Sequence, residues 1–152
     1  MKVEDLGRLV CDFSVVGSDR VENVDITALA RIDREHLDTE IDNVAGDYVF
    51  YSVLKGIADS RVGASKLTLE ITEAQLYEEK RKEFQPGQRV TDGAIGVLVK
   101  LDKRYQDAYL ALLSAKKTSS ILGSIESALD KKQMMISTCA ADRRADMAKT
   151  RG

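Results

Sequence analysis

The chain has 152 residues, about a third of them charged, with three Phe, five Tyr and no Trp. That length fits one domain, and so few large aromatics exclude a thick globular core. The net charge of −2 gives no reason by itself to expect nucleic acid, yet the chain is polarised: residues 1–85 carry 11 Lys and Arg against 18 Asp and Glu, a charge of −7, and residues 86–152 carry 12 against 7, a charge of +5.

The first 36 residues read as an N-terminal segment of short helices. Val3–Phe13 places Leu6, Leu9, Val10 and Phe13 on one side of an amphipathic helix, with a strand over Val10–Val16 as the alternative, and the pattern loosens through Gly17, Ser18 and Asp19. Residues 25–36 form a second short helical turn, capped by Asp25 or Thr27, and Asp33 is placed to cap the helix that follows.

From Leu37 to Phe84 there is no proline, and positions 37, 41, 44, 48, 51, 55, 58, 62, 65, 69, 72 and 76 advance by alternating steps of four and three. That is a heptad seam along one long helix. A second apolar line, Phe50, Val53, Leu54, Ile57, Ala64, Leu67, Ile71 and Ala74, runs beside it and makes the face wider than a two-stranded coiled coil requires. The only proline, Pro86, sits in the break that separates this arm from a second one over 92–140, which opens on Thr91 or Asp92 as N-cap. Leu98, Leu101, Tyr105, Ala108, Leu112, Ala115, Ser119 and Leu122 keep the rhythm, and Ile125, Leu129 and Ile136 resume it shifted, which marks a stammer near Leu122-Gly123 or a change of packing partner. The fold expected is all-α: two long antiparallel helices, a helical hairpin over 37–147 with its break at 85–91, preceded by the short N-terminal helices of 1–36 and followed by a frayed tail at 148–152. Two helices cannot cover both of their own apolar lines, so a homo-oligomer is expected.

The residues offer little catalytic chemistry. His36 is the only histidine and has no nucleophile in a recognisable motif, Gly93 and Gly96 lack the rest of a phosphate-binding loop, and Cys11 and Cys139 have no metal-ligand spacing. The chain reads as a non-enzyme with no cofactor and no metal. No apolar run reaches the roughly twenty residues of a membrane span and the start lacks a signal-peptide pattern, so the expected location is the cytoplasm. What remains is basic: Lys80, Arg81 and Lys82 before the break, Arg89 within it, Lys100, Lys103 and Arg104 after it, then Lys116, Lys117, Lys131 and Lys132, with Arg143-Arg144 beyond. In an oligomer these residues form a track for phosphates with little sequence preference, and Tyr77, Phe84, Tyr105 and Tyr109 stand near them as base-stacking candidates, Tyr105 also falling on the seam.

The segments MKVEDL, IDREHLDTEI, LTLEITEAQLYEEKRKEF, VTDGAIGVLVKLDKRYQDAYLALLSAKK and IESALDKKQMMISTCAADRR, in that order, resemble the phage recombination mediators of the UvsY type. The resemblance spans almost the whole chain and rests on order and spacing. It implies a homo-oligomeric helical protein in the host bacterial cytoplasm that binds single-stranded DNA, helps displace the single-strand-binding protein and loads a RecA-like recombinase. In that family the first long helix supplies basic DNA contacts; here the matching stretch has Glu73 and Gln75, and positive charge arrives a turn later at Lys80, Arg81 and Lys82. Two other classes fit the same residues: a structural or scaffolding oligomer whose basic side chains pair with acidic ones on a neighbouring copy, and an adaptor that docks proteins without touching DNA.

Overall fold

The computed structural model of the chain describes residues 24–84 and 90–150, together with the backbone of Val10–Cys11. Two short strands, β1 (Val10–Cys11) and β2 (Val24–Asp25), pair antiparallel, and four helices follow: α1 (Ile26–Leu29), α2 (Leu37–Lys82), α3 (Asp92–Leu101) and α4 (Lys103–Thr150). The fold is the expected all-α hairpin, with α2 and α4 packed against each other. Of the opening segment, Val10 and Cys11 are extended and not helical; the rest of the candidate helix over Val3–Phe13 lies outside the described residues. The described residues divide into two compact units. The first holds the described residues up to Ile57 and from Ser120 onward, the second those of 58–119.

In the first unit, Asp25 caps α1 as its side chain requires, Oδ1 accepting the Ala28 N–H at 3.0 Å. Asp33 does not reach α2; its carboxylate instead closes the preceding turn, accepting the Glu35 N–H at 2.9 Å and meeting His36 Nδ1 at 2.9 Å. The His36 contact, with the Glu35 bond behind it, holds the Asp33 carboxyl below its ordinary range. The core is laid down by Leu37, Val44, Tyr51 and Leu54 on α2 against Leu122, Ile125, Leu129 and Ile136 on α4. Each such side chain contributes on the order of 1.5–3 kcal/mol on full burial. Ile32 and Cys139 close the end of this core beside Leu37, Val44 and Ile136.

Two details refine the sequence reading, and one ion pair underlies both. On α2 the residues facing α4 step 37, 40, 44, 47, 51, 54, so Glu40 turns inward while Ile41, assigned to the seam, is 46 % exposed. On α4 the inward positions of this unit step 122, 125, 129, 132, 136, 139 through a continuous helix, so the beat that the sequence reading left empty between Leu129 and Ile136 is filled. The missing beat was Lys132. Its charge hid a core position: the residue is 7 % exposed, with Nζ 2.6 Å from Glu40 Oε2. That oxygen is buried and has no well-angled hydrogen bond, so the contact holds by charge rather than by directional bonding. Nearby, Ser52 donates to Glu126 Oε1 at 2.6 Å.

In the second unit the core is Leu76 against Ile95 and Val99, with Tyr77, Phe84, Val90 and Tyr105 packed around it. Ala58 and Leu112 are also buried, and the Ser119 hydroxyl donates to the Asp59 carboxylate. The second arm is not one rod here. Asp102 has extended backbone (φ −69°, ψ 134°) and ends α3 with its N–H on the Val99 carbonyl at 3.1 Å. The same residue starts α4: its carbonyl accepts the Gln106 N–H at 3.1 Å and its Oδ1 accepts the Arg104 N–H at 2.9 Å. Gln106 Nε2 in turn donates to the end carbonyls of α3, Lys100 at 3.3 Å and Leu101 at 3.5 Å. One Asp serving two helix ends interrupts the rhythm, so α3 buries Ile95 and Val99 and leaves Leu98 and Leu101 exposed. At the other end of α3, Thr91 is the N-cap, its Oγ1 accepting the Ala94 N–H at 3.3 Å.

Candidate nucleic-acid interface

The basic residues singled out from the sequence meet different fates. In the second unit, α2 ends in Lys80, Arg81 and Lys82, whose positive charge also suits the C-terminal end of a helix dipole. Opposite them stand Lys100 at the end of α3 and Lys103 and Arg104 at the start of α4. Arg104 is the tie. Its guanidinium grips Glu79 through two bonds, Nη1 to Oε1 at 3.2 Å and Nη2 to Oε2 at 2.7 Å, and grips Asp102 through Nε and Nη2 at 3.2 Å each. A forked donor between two carboxylates raises the Arg104 pKa above its already high value, Glu79 contributing first and Asp102 second. The Glu79 carboxyl is lowered by the Arg104 bond, and Asp102 is lowered by the Arg104 side chain and then its backbone N–H.

This brace sets the two basic clusters side by side and spends one member of the set. Arg104 is therefore an organiser, its charge already answered by two carboxylates. Lys80 is partly spent too, its Nζ 2.9 Å from Glu83 Oε1, whereas Lys82 makes only a long 3.9 Å contact with Glu78. Among the described residues Arg81, Lys100, Lys103, Lys116, Lys117 and Lys131 are exposed and make no ion pair. Lys132 is buried in the first unit, paired with Glu40. Arg89 lies outside the described residues.

The aromatic candidates are mostly committed to packing. Tyr77, Phe84 and Tyr105 border the Leu76, Ile95 and Val99 core. The Tyr77 hydroxyl donates to Asp92 Oδ1 at 2.6 Å, and that bond, which an ionised phenol cannot make, raises its pKa. Tyr109 stands exposed and stacks parallel to Tyr105 with centroids 6.3 Å apart. Of these four aromatics Tyr109 alone is exposed.

Sequence reasoning missed Glu79 and Asp102, the acids that hold Arg104. Asp is a favoured N-cap residue type, but the three-four rhythm runs across position 102 without a break, so nothing in the sequence marks a helix end there. Among the described residues no group of three or more His, Cys, Asp or Glu is placed to hold a metal, and no helix is long and apolar enough to cross a membrane. Compared with family models, with curated proteins and with solved structures, the chain has no match.

Proposed function

We propose that the chain is a non-enzymatic, homo-oligomeric recombination mediator of the UvsY type, binding single-stranded DNA through its phosphates and loading a RecA-like recombinase against the single-strand-binding protein. The observation that carries the reading is the juxtaposition made by the Arg104 brace, which groups Arg81, Lys82, Lys100 and Lys103 on one unit while leaving them without strong partners. Lys80 supplies a shared charge. A cluster of exposed cations with one exposed aromatic binds phosphates without reading bases. Fluorescence anisotropy with labelled single- and double-stranded oligonucleotides across a salt series tests it. Each neutralised phosphate on a single strand contributes about −0.7 to the slope of log affinity against log salt. Arg81→Glu with Lys82→Glu, and Lys100→Glu with Lys103→Glu, are expected to weaken binding and flatten that slope. Unchanged affinity in both variants sinks the assignment. Capture of a RecA-like recombinase separates a mediator from a plain DNA binder.

A structural or scaffolding oligomer is the second reading, favoured by the apolar side chains that the described chain leaves uncovered on α2 and α4, Leu67, Ile71, Leu110 and Leu113 among them. A protein-docking adaptor is the remaining class. Absence of oligonucleotide binding at low salt turns the choice toward these two.

A further inference from the structure

Within the second unit, two helix faces point away from the core and share a design with opposite sign. On α2, Leu67 and Ile71 are 58 % and 49 % exposed and lie on the side opposite Leu76, continuing through Ala74. The acids of that stretch, Glu70, Glu73 and Glu78, surround Ala74 in a shallow groove with Tyr77. On α4, Leu110 and Leu113 are 60 % and 43 % exposed, opposite buried Leu112. Seven residues before Leu110 and four after Leu113 come Lys103 and Lys117, on the same helical line, with Lys116 beside them. Inside the chain these charges are hardly used: Glu70 and Glu78 make only long, exposed contacts of 3.8 and 3.9 Å with Lys66 and Lys82. Glu73, Lys103, Lys116 and Lys117 make no ion pair among the described residues.

We propose that these are the two halves of one interface, the acidic apolar face of α2 in one copy seating on the basic apolar face of α4 in the next. The inference rests on the homo-oligomer reading above and supplies its surface. The occupant is a second copy because the complement of each face, in both charge and apolar pairing, is carried by this same chain. Each face lies on the side of its own helix away from the core, so one neighbour cannot cover both at once; the contact is heterologous, and copies join head to tail and close into a ring or extend as a filament. The basic residues then have separate roles, in which Lys116 and Lys117 hold the neighbour while Arg81, Lys82 and Lys100 stay open.

Charge reversal with mixing is the experiment, read as mass by light scattering after size exclusion at low ionic strength. Glu70→Lys with Glu78→Lys makes the α2 face basic, and Lys116→Glu with Lys117→Glu makes the α4 face acidic. Each variant alone meets like charge at every junction and is expected to fall to smaller species. Mixed in equal amounts, they pair oppositely charged faces at both kinds of junction, so assembly returns, with the variants alternating. Leu67→Ser with Ile71→Ser is also expected to lose assembly, and exposure of both side chains lets the monomer keep its helical circular dichroism. If the wild type is itself a monomer, the oligomer reading falls and this inference with it. If the wild type assembles and either single-face variant keeps its full mass, or the mixture fails to restore it, the interface is overturned while the oligomer reading stands.

Discussion

Lys132 and Glu40 make the most exacting test of the packing. In the first unit both occupy inward positions of a helix pair whose other buried side chains are apolar, with Nζ and Oε2 2.6 Å apart. Removing one partner of a buried pair costs about 3–5 kcal/mol because the other charge is left without water or counter-charge. The Glu40 side chain keeps 17 % of its exposure, which places Lys132→Met near the lower end, about 3 kcal/mol. That is a large fraction of a domain stability of about 5–15 kcal/mol. The double variant Lys132→Met with Glu40→Leu removes the desolvation penalty along with the attraction, so it is expected within about 1 kcal/mol of the wild type or above it. Urea unfolding followed by far-ultraviolet circular dichroism, at one fixed protomer concentration, gives the three values. The signature is strong non-additivity: two costly single changes that nearly cancel together. Single variants each costing under about 1 kcal/mol, with an additive double, would describe a solvated surface pair and refute the inward placement of Lys132.

Three further outcomes follow from individual contacts. Gly46 lies inside α2 with nothing within 4 Å of where a Cβ would stand, so Gly46→Ala should raise stability by about 0.5–1 kcal/mol through helix propensity alone; a loss in urea unfolding contradicts the open space. Asp102→Ala deletes the cap shared by α3 and α4, and hydrogen exchange at the Arg104 amide should accelerate while amides near Ile125 and Leu129 keep their protection; equal rates at Arg104 would mean the cap is not formed. The Glu79 and Asp102 carboxyls are lowered in the folded chain. Their contribution is therefore full above the ordinary carboxylate range near pH 4 and is lost as pH falls through their lowered values. Arg104→Gln should flatten the acid limb of a plot of melting temperature against pH, and an identical acid limb counts against the brace.

Much of this architecture was legible in the residues. The long proline-free stretches, the break at Pro86, and the caps at Asp25 and Thr91 are local signals, because a cap or a proline acts on its own backbone neighbours. Leu37, Val44, Tyr51, Ala58 and Leu76 of the anticipated seam are indeed buried. The alternate positions were misplaced by one residue where hydrophobicity was the guide: Ile41 was preferred to Glu40, and Lys132 was read as surface. A buried charge is stable only when its partner lies opposite, and the partner here is 92 residues away in sequence. No local pattern carries that information. The basic site shows the same division, since the cations were visible in the sequence but the acids that arrange them were not.

The amino-acid sequence alone determined that this chain forms two long helical arms in antiparallel order, since three-four periodicity, caps and a single proline act through neighbours within a turn or two. The tertiary structure alone decided which of the two apolar lines on α2 turned inward, and that Arg104 and Lys132 were spent on carboxylates while Arg81, Lys100 and Lys103 were left open. The reason is physical: one helix can cover only one side of another, and charge is answered by whatever the fold brings within reach.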